Sequence, residues 1–291
     1  MTNNDQAASL RKRLNRLAGK QAKTLAVVSG KGGVGKSNIS LNFAINLTQN
    51  GKKVLIFDMD IGMGNIHVLT GQTAEHSIAD FFEKNLSLAD LVYRDKEGVS
   101  YILGGSGLNQ LIEWNSSHLS RWLDDIEELQ HQYDYLLFDM GAGATKETLN
   151  ILMSVDDIIV VTTPEPTSIT DAYSMMKYIH FQGGENAFYL LCNRADSERE
   201  GQEAIKRLQQ AVRKFLGKSS FELGVLQEST AVKKAVSAQT PFLIAYPNAK
   251  ISRALREAVR LYKEGYGYSP DHSESDSFIF KLRHFFVKGR H

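Results

Sequence analysis

A chain of 291 residues, 42% hydrophobic and 23% charged, is long enough to bury a substantial core in one large domain or two small ones. Its 34 Lys and Arg nearly cancel its 33 Asp and Glu, and a net charge of +1 excludes a whole-molecule polyanion binder, so any basic partner site must be local. The single cysteine, Cys192, excludes an internal disulfide and suits a reducing cytoplasm, and no apolar run approaches the ~20 residues that span a bilayer.

Residues 1–22 are polar and basic, without a secretory signal's apolar segment or a core pattern. From 23 to 265 short apolar runs alternate with amphipathic stretches. Strands are predicted at 24–29, 54–58, 100–105, 135–139, 157–163, 187–193 and 221–226. Their nearly continuous apolar character points to a parallel sheet buried on both faces. Helices are predicted at 36–49, 117–131, 145–153, 168–180, 200–216, 229–237 and 251–264. The expected architecture is a single α/β domain, a doubly wound, mostly parallel sheet with helices on both faces. In the helix over 200–216, Ile205, Leu208, Val212 and Phe215 form the predicted core stripe, and Lys206, Arg207, Arg213 and Lys214 a solvated face. Residues 266–277, rich in Gly, Pro, Ser and acids, read as a linker to a terminal segment, 278–291.

"GKGGVGKS", residues 30–37, fits the phosphate-loop pattern and falls between a predicted strand and a predicted helix, the context that motif needs. Gly30, Gly32, Gly33 and Gly35, with Val34 and Asn38, would wrap backbone N–H groups around phosphates; Lys36 would reach the β- and γ-phosphates, and Ser37 would hold Mg2+. A Mg-nucleotide site also needs carboxylates at neighbouring strand ends. Asp58 and Asp139 suit metal contacts, and Asp60 suits positioning the attacking water. Gly141 lies in a loop able to sense the γ-phosphate.

Residues 23–265 resemble the MinD/ParA family of deviant Walker-A ATPases, of the signal-recognition type of P-loop protein. The resemblance rests on "KGGVGKS" (31–37), "DMDIGMGNIHVLTG" (58–71), "DMGAG" (139–143) and "TTPEPTSITDAY" (162–173). Within the family the chain looks most like the flagellar-number regulators of the FlhG (FleN, YlxH) type. The resemblance implies ATP and Mg2+ as ligands and an ATP-dependent homodimer in which Lys31 reaches the phosphates held by the other subunit. It also places adenine near Asn193, with Arg194 positioned to stack on the ring; Gln227 stands where many relatives carry a proline.

The two ends carry partner readings. "DQAASLR" (5–11) resembles the element with which these regulators stimulate FlhF, a signal-recognition-type GTPase; Asp5 and Gln6 would act at the partner's nucleotide site, with Leu10 and Arg11 holding the segment. In "FIFKLRHFFVKGRH" (278–291), Phe278, Ile279, Leu282, Phe285 and Phe286 share one helical face, with Lys281, His284 and Lys288 opposite. Such a helix lies on an anionic membrane or packs in a groove on its own domain, and both states can alternate with nucleotide. Flagellar switch-ring proteins are further partners implied by the resemblance, and the location implied is cytoplasmic with reversible attachment to the inner face of the membrane. No specific DNA binding is expected. Alternatives are a DNA-partitioning ATPase, a division-site regulator, and a tyrosine kinase, for which Tyr262, Tyr266 and Tyr268 speak slightly.

Overall fold

The computed structural model describes residues 21–60, 65–72, 75–104, 116–141, 146–265 and 277–288. In chain order the elements are β1 (Lys23–Val28), α1 (Lys36–Gln49), β2 (Val54–Met59), α2 (Asn65–Thr70), α3 (Ile78–Glu83), β3 (Tyr93–Arg94), β4 (Ser100–Ile102), α4 (Ser116–Gln130), β5 (Tyr135–Met140) and α5 (Lys146–Ser154). There follow β6 (Asp157–Thr162), α6 (Pro166–Phe181), β7 (Ala187–Ala195), α7 (Glu198–Leu216), β8 (Ser220–Gln227), α8 (Thr230–Ser237), α9 (Phe242–Ala245), α10 (Lys250–Lys263) and α11 (Phe278–Lys288).

The eight strands form one sheet in the order β3-β4-β2-β5-β1-β6-β7-β8. Every pairing is parallel except β3 with β4. Strand side chains alternate between two cores. Ala26, Val28, Leu55 and Phe57 face α4 to α7 on one side. Leu25, Val27, Val54 and Ile56 face α1 and α10 on the other. Burial on both faces is why the strands read as continuous apolar runs.

Local signals set the helix ends. Ser197 accepts the Glu200 N–H to open α7, and Gly217, in the left-handed region, closes it. Pro166 occupies the first turn of α6. The antiparallel β3 and the short α2, α3 and α9 were not expected; each has six residues or fewer, too few to show a period. Phe215 is a correction to the predicted α7 stripe. It is 63% exposed, and Leu216 completes the buried row of Ile205, Leu208 and Val212, because at 3.6 residues per turn the stripe has drifted one position by the last turn.

The terminal helix α11 is docked. Phe278, Ile279, Leu282 and Phe286 join the core beneath α4 and α5. The Phe278 ring lies 5.5 Å from that of Phe138 on β5, and the Phe286 ring 6.2 Å from Trp122 on α4. Arg283 clasps Asp124 at 2.6 Å and Glu127 at 3.3 Å. The groove-bound state is therefore the one seen, with Phe285 half-buried and Phe280 outward. The linker expected at 266–277 lies outside the described residues apart from Ser277. At the other end Ala22 donates its N–H to the Gln130 carbonyl at 2.8 Å, which ties the domain's first strand to α4.

Candidate functional site

The site gathers at the carboxyl ends of β1, β2 and β5, where the strand order divides: β1 connects to β2 on one side, and β6 connects to β7 on the other. The loop between β1 and α1 takes its shape from its glycines. Gly33 (φ 79°) and Gly35 (φ 93°) sit in the left-handed region. Gly30 abuts the backbone of Asp171 and Ala172 on α6, leaving no room for a Cβ. Gly35 is equally constrained, since a Cβ there would approach Nδ2 of Asn193 to 2.5 Å. That Asn193 amide donates to the Val34 carbonyl at 2.7 Å, fastening the end of β7 to the loop.

The two lysines of the loop occupy different environments. Lys36 is 8% exposed and its Nζ stands 3.7 Å from Oδ1 of Asp139. The Lys31 side chain is 47% exposed, and its Nζ meets Oε2 of Glu165, at the head of α6, at 2.9 Å.

Asp58 and Asp139 face each other in register on adjacent strands, both buried. Burial, then the neighbouring Asp139 charge, pushes the Asp58 carboxyl up to about 7. Its Oδ1 accepts the Asp60 N–H at 3.1 Å and its Oδ2 the Ile66 N–H at 3.4 Å, so Asp58 shapes the stretch that carries Asp60 into α2. Burial also raises Asp139, opposed by Lys36 and by the Ser37 and Ser40 hydroxyls. Oδ2 of Asp139 is buried without a hydrogen-bond partner among the described residues. An orphaned carboxylate oxygen beside Ser37 fits a divalent cation that arrives with its ligand.

Gly141 packs against Asp60: a Cβ there would lie 3.3 Å from Oδ1 of Asp60. Asp60, Ser37, Lys36, Gly32 and Gly33 line one cavity of about 320 Å³. A second of about 320 Å³ shares Gly35 and Asn38 with it and extends past Asn193, Arg194, Gln227, Glu228 and Phe242. Together they offer a phosphate end and a more enclosed end able to take a base. Arg194 holds a left-handed backbone (φ 57°), rare for a long side chain and found where surroundings enforce it. Its Nε is 4.0 Å from Glu228, which also pairs with Lys233 at 2.9 Å.

The structure thus brings together the loop residues, Asp58, Asp60, Asp139, Gly141, Asn193 and Arg194. Asp5, Gln6, Leu10 and Arg11 lie outside the described residues. Sequence reasoning missed Glu165, Glu228, Ser40 and Gly104. A Cβ on Gly104 would come 2.6 Å from the Asp58 carbonyl, and "GG" after a strand was the signal available for that close approach.

A strand, a glycine loop with a buried lysine, a helix opening on serine and two strand-end aspartates define a P-loop nucleoside-triphosphate site. A family model described as ParA, "NUBPL iron-transfer P-loop NTPase", matches residues 20–260. The antiactivator FleN of Pseudomonas aeruginosa is 31% identical over 232 residues, 80% of this chain and 83% of FleN. The flagellum site-determining protein YlxH of Helicobacter pylori is 31% identical over 242 residues, 82% of this chain and 81% of YlxH. Among solved structures, the cell division ATPase MinD of Pyrococcus furiosus superposes with a TM-score of 0.67 at 21% identity, covering 84% of this chain and 99% of MinD. MinD in the MinC:MinD complex of Aquifex aeolicus gives 0.68 at 23% identity, covering 87% and 100%. The chain belongs to the ParA/MinD family of P-loop NTPases, with FleN and YlxH among its relatives. The iron-transfer chemistry in the family description finds no surface thiolate here, because Cys192 is enclosed in β7 with its thiol pushed up to about 12 by burial.

Proposed function

We propose that this protein is an ATP-driven dimerising switch that regulates flagellar number or placement; its relative YlxH is named a flagellum site-determining protein, and its relative FleN an antiactivator. One observation carries the reading: two lysines of a single phosphate loop are placed oppositely, Lys36 buried beside Asp139 and Lys31 on the exposed rim. The buried lysine suits the chain's own nucleotide. The rim lysine suits the nucleotide of a second copy.

The chemistry is transfer of the γ-phosphoryl group of ATP to water. Backbone N–H groups of Gly32 to Ser37 cradle the phosphates, and Lys36 neutralises the β- and γ-oxygens. Ser37 and Asp139 would hold Mg2+, which supplies charge neutralisation across the same oxygens when bound. Asp60 orients the attacking water. Lys31 of the second subunit completes the charge balance, so turnover requires the pair, and loss of the γ-phosphate loosens it. The base would lie between Asn193, Arg194 and Gln227.

Two further functions belong to the ends. The 5–11 segment, through Asp5, Gln6, Leu10 and Arg11, would stimulate an FlhF-like GTPase. The terminal helix, released from its groove in the ATP state, would present Phe278, Ile279, Leu282, Phe285 and Phe286 to anionic lipid. Two copies on one dimer then hold by effective concentration where one does not. No helix among the described residues is long and apolar enough to cross a membrane, so attachment would be peripheral.

The test is sizing by chromatography of Asp60→Ala with Mg-ATP and with Mg-ADP, followed by flotation on liposomes containing phosphatidylglycerol. The expected result is a dimer that floats with ATP and a monomer that stays in solution with ADP. A monomer under saturating Mg-ATP would sink the proposal.

A further inference from the structure

Ser40 lies one turn beyond the phosphate loop on α1, three residues after Ser37 and four after Lys36, so all three share the face turned to β5. It is fully buried, and its Oγ donates to Oδ1 of Asp139 at 2.8 Å. That choice of partner is unusual. Four other helical hydroxyls return to the carbonyl four residues back, Thr70 to Ile66, Ser154 to Asn150, Thr170 to Pro166 and Ser174 to Thr170, and Ser252 also donates to a backbone carbonyl, that of Tyr246. Ser40 spends its only proton on a carboxylate in the neighbouring strand.

Three groups on α1 stabilise Asp139: Lys36, Ser37 and Ser40. Nucleotide binding recruits two of them, Lys36 to the phosphates and Ser37 to the cation. Ser40, buried below the loop, is the donor that remains. With Oδ1 held, Oδ2, which has no partner among the described residues, is the oxygen left for the incoming charge. We propose that Ser40 is a positioning residue for the metal-nucleotide site: its hydroxyl fixes the Asp139 carboxylate so that one oxygen stays available to Mg2+ when Lys36 and Ser37 are called away. This rests on the reading of Asp139 as the carboxylate that faces the cation.

The experiment titrates Mg2+ against binding of a fluorescent, non-hydrolysed ATP analogue to the full chain, alongside thermal melting. Ser40→Ala should raise the Mg2+ concentration for half-maximal binding by about tenfold, as loss of a supporting hydrogen bond does at metal sites. Metal-free binding of the analogue should not change, and Ser40→Thr, which keeps the hydroxyl, should restore the Mg2+ requirement. In an Asp139→Asn background Ser40→Ala should add nothing, because it acts through the group already removed. An unshifted Mg2+ requirement in Ser40→Ala, or a shift that adds to that of Asp139→Asn, overturns the proposal. If Ser40→Ala fails to fold, Ser40→Cys, close in size with a weak donor, is judged by the same criteria. Asp139→Asn alone with a normal Mg2+ requirement would show that the reading of Asp139, rather than of Ser40, had failed.

Discussion

Asp58 is enclosed at the end of β2 with a second buried carboxyl across from it, and its proton leaves only near pH 7. In the unfolded chain the same group titrates near 3.8. Between those values the folded state holds more protons than the unfolded one, so Asp58's contribution to stability is complete below pH ~4 and is lost as pH rises through about 7. Asp58→Asn removes this titration. In nucleotide-free protein the melting temperature of the variant relative to wild type should climb from pH 4 to pH 7 and then level off; a difference independent of pH would show that Asp58 is not raised. At the same scale, what the sequence showed depended on distance along the chain. Lys36 and Ser37 could be assigned because a phosphate loop is one contiguous motif. Glu165 and Ser40 could not, since their partners lie 134 and 99 residues away and only folding supplies those contacts. Gln227 and Glu228 stayed opaque for a similar reason, as the cavity they line is assembled largely from the ends of β7 and β8.

The elements followed periodicity closely wherever a run was long enough to show it. All seven predicted strands and all seven predicted helices over 36–264 appear, with ends set by caps such as Ser197 and Ser229. The terminal helix shows where pattern alone stops. An amphipathic face specifies that something apolar covers it, whereas the occupant depends on a groove built far earlier in the chain by α4 and α5. Burying Phe278, Ile279, Leu282 and Phe286 contributes ~1.5–3 kcal/mol for each side chain, which is what holds the helix in its groove. Leu282→Ala should weaken docking by ~2–5 kcal/mol. Amide hydrogen exchange across residues 278–286 of the nucleotide-free protein should then accelerate by at least ~30-fold, the factor that ~2 kcal/mol represents. Unchanged protection would mean the groove contributes little.

For the whole molecule the question is which subunit owns each lysine. Among the described residues Lys31 is paired with the exposed Glu165, and exposed pairs contribute ~0–1 kcal/mol, so this contact is easily exchanged for a phosphate. If Lys31 works across the dimer, two inactive variants can complement each other. Lys31→Ala retains a complete loop for its own nucleotide, and Lys36→Ala retains a rim lysine to lend. Each alone should hydrolyse ATP poorly, and an equimolar mixture should recover turnover well above either. A mixture no more active than its components would place Lys31 in its own subunit's site. Tyr262, one of the three tyrosines that spoke slightly for the kinase alternative, is buried and donates to Asp157 at 2.8 Å, so it lends that reading no support.

The contact between Phe286 and Trp122 has a practical side. An indole packed beneath a neighbouring ring emits differently once that ring departs and solvent enters, so the protein contains a built-in optical gauge of whether its tail is stowed. The chain has two tryptophans, and with Trp114 replaced by phenylalanine the signal belongs to Trp122 alone. Adding nucleotide in a stopped-flow cuvette would then show whether the tail departs and, if it does, how fast, without dye, lipid or label.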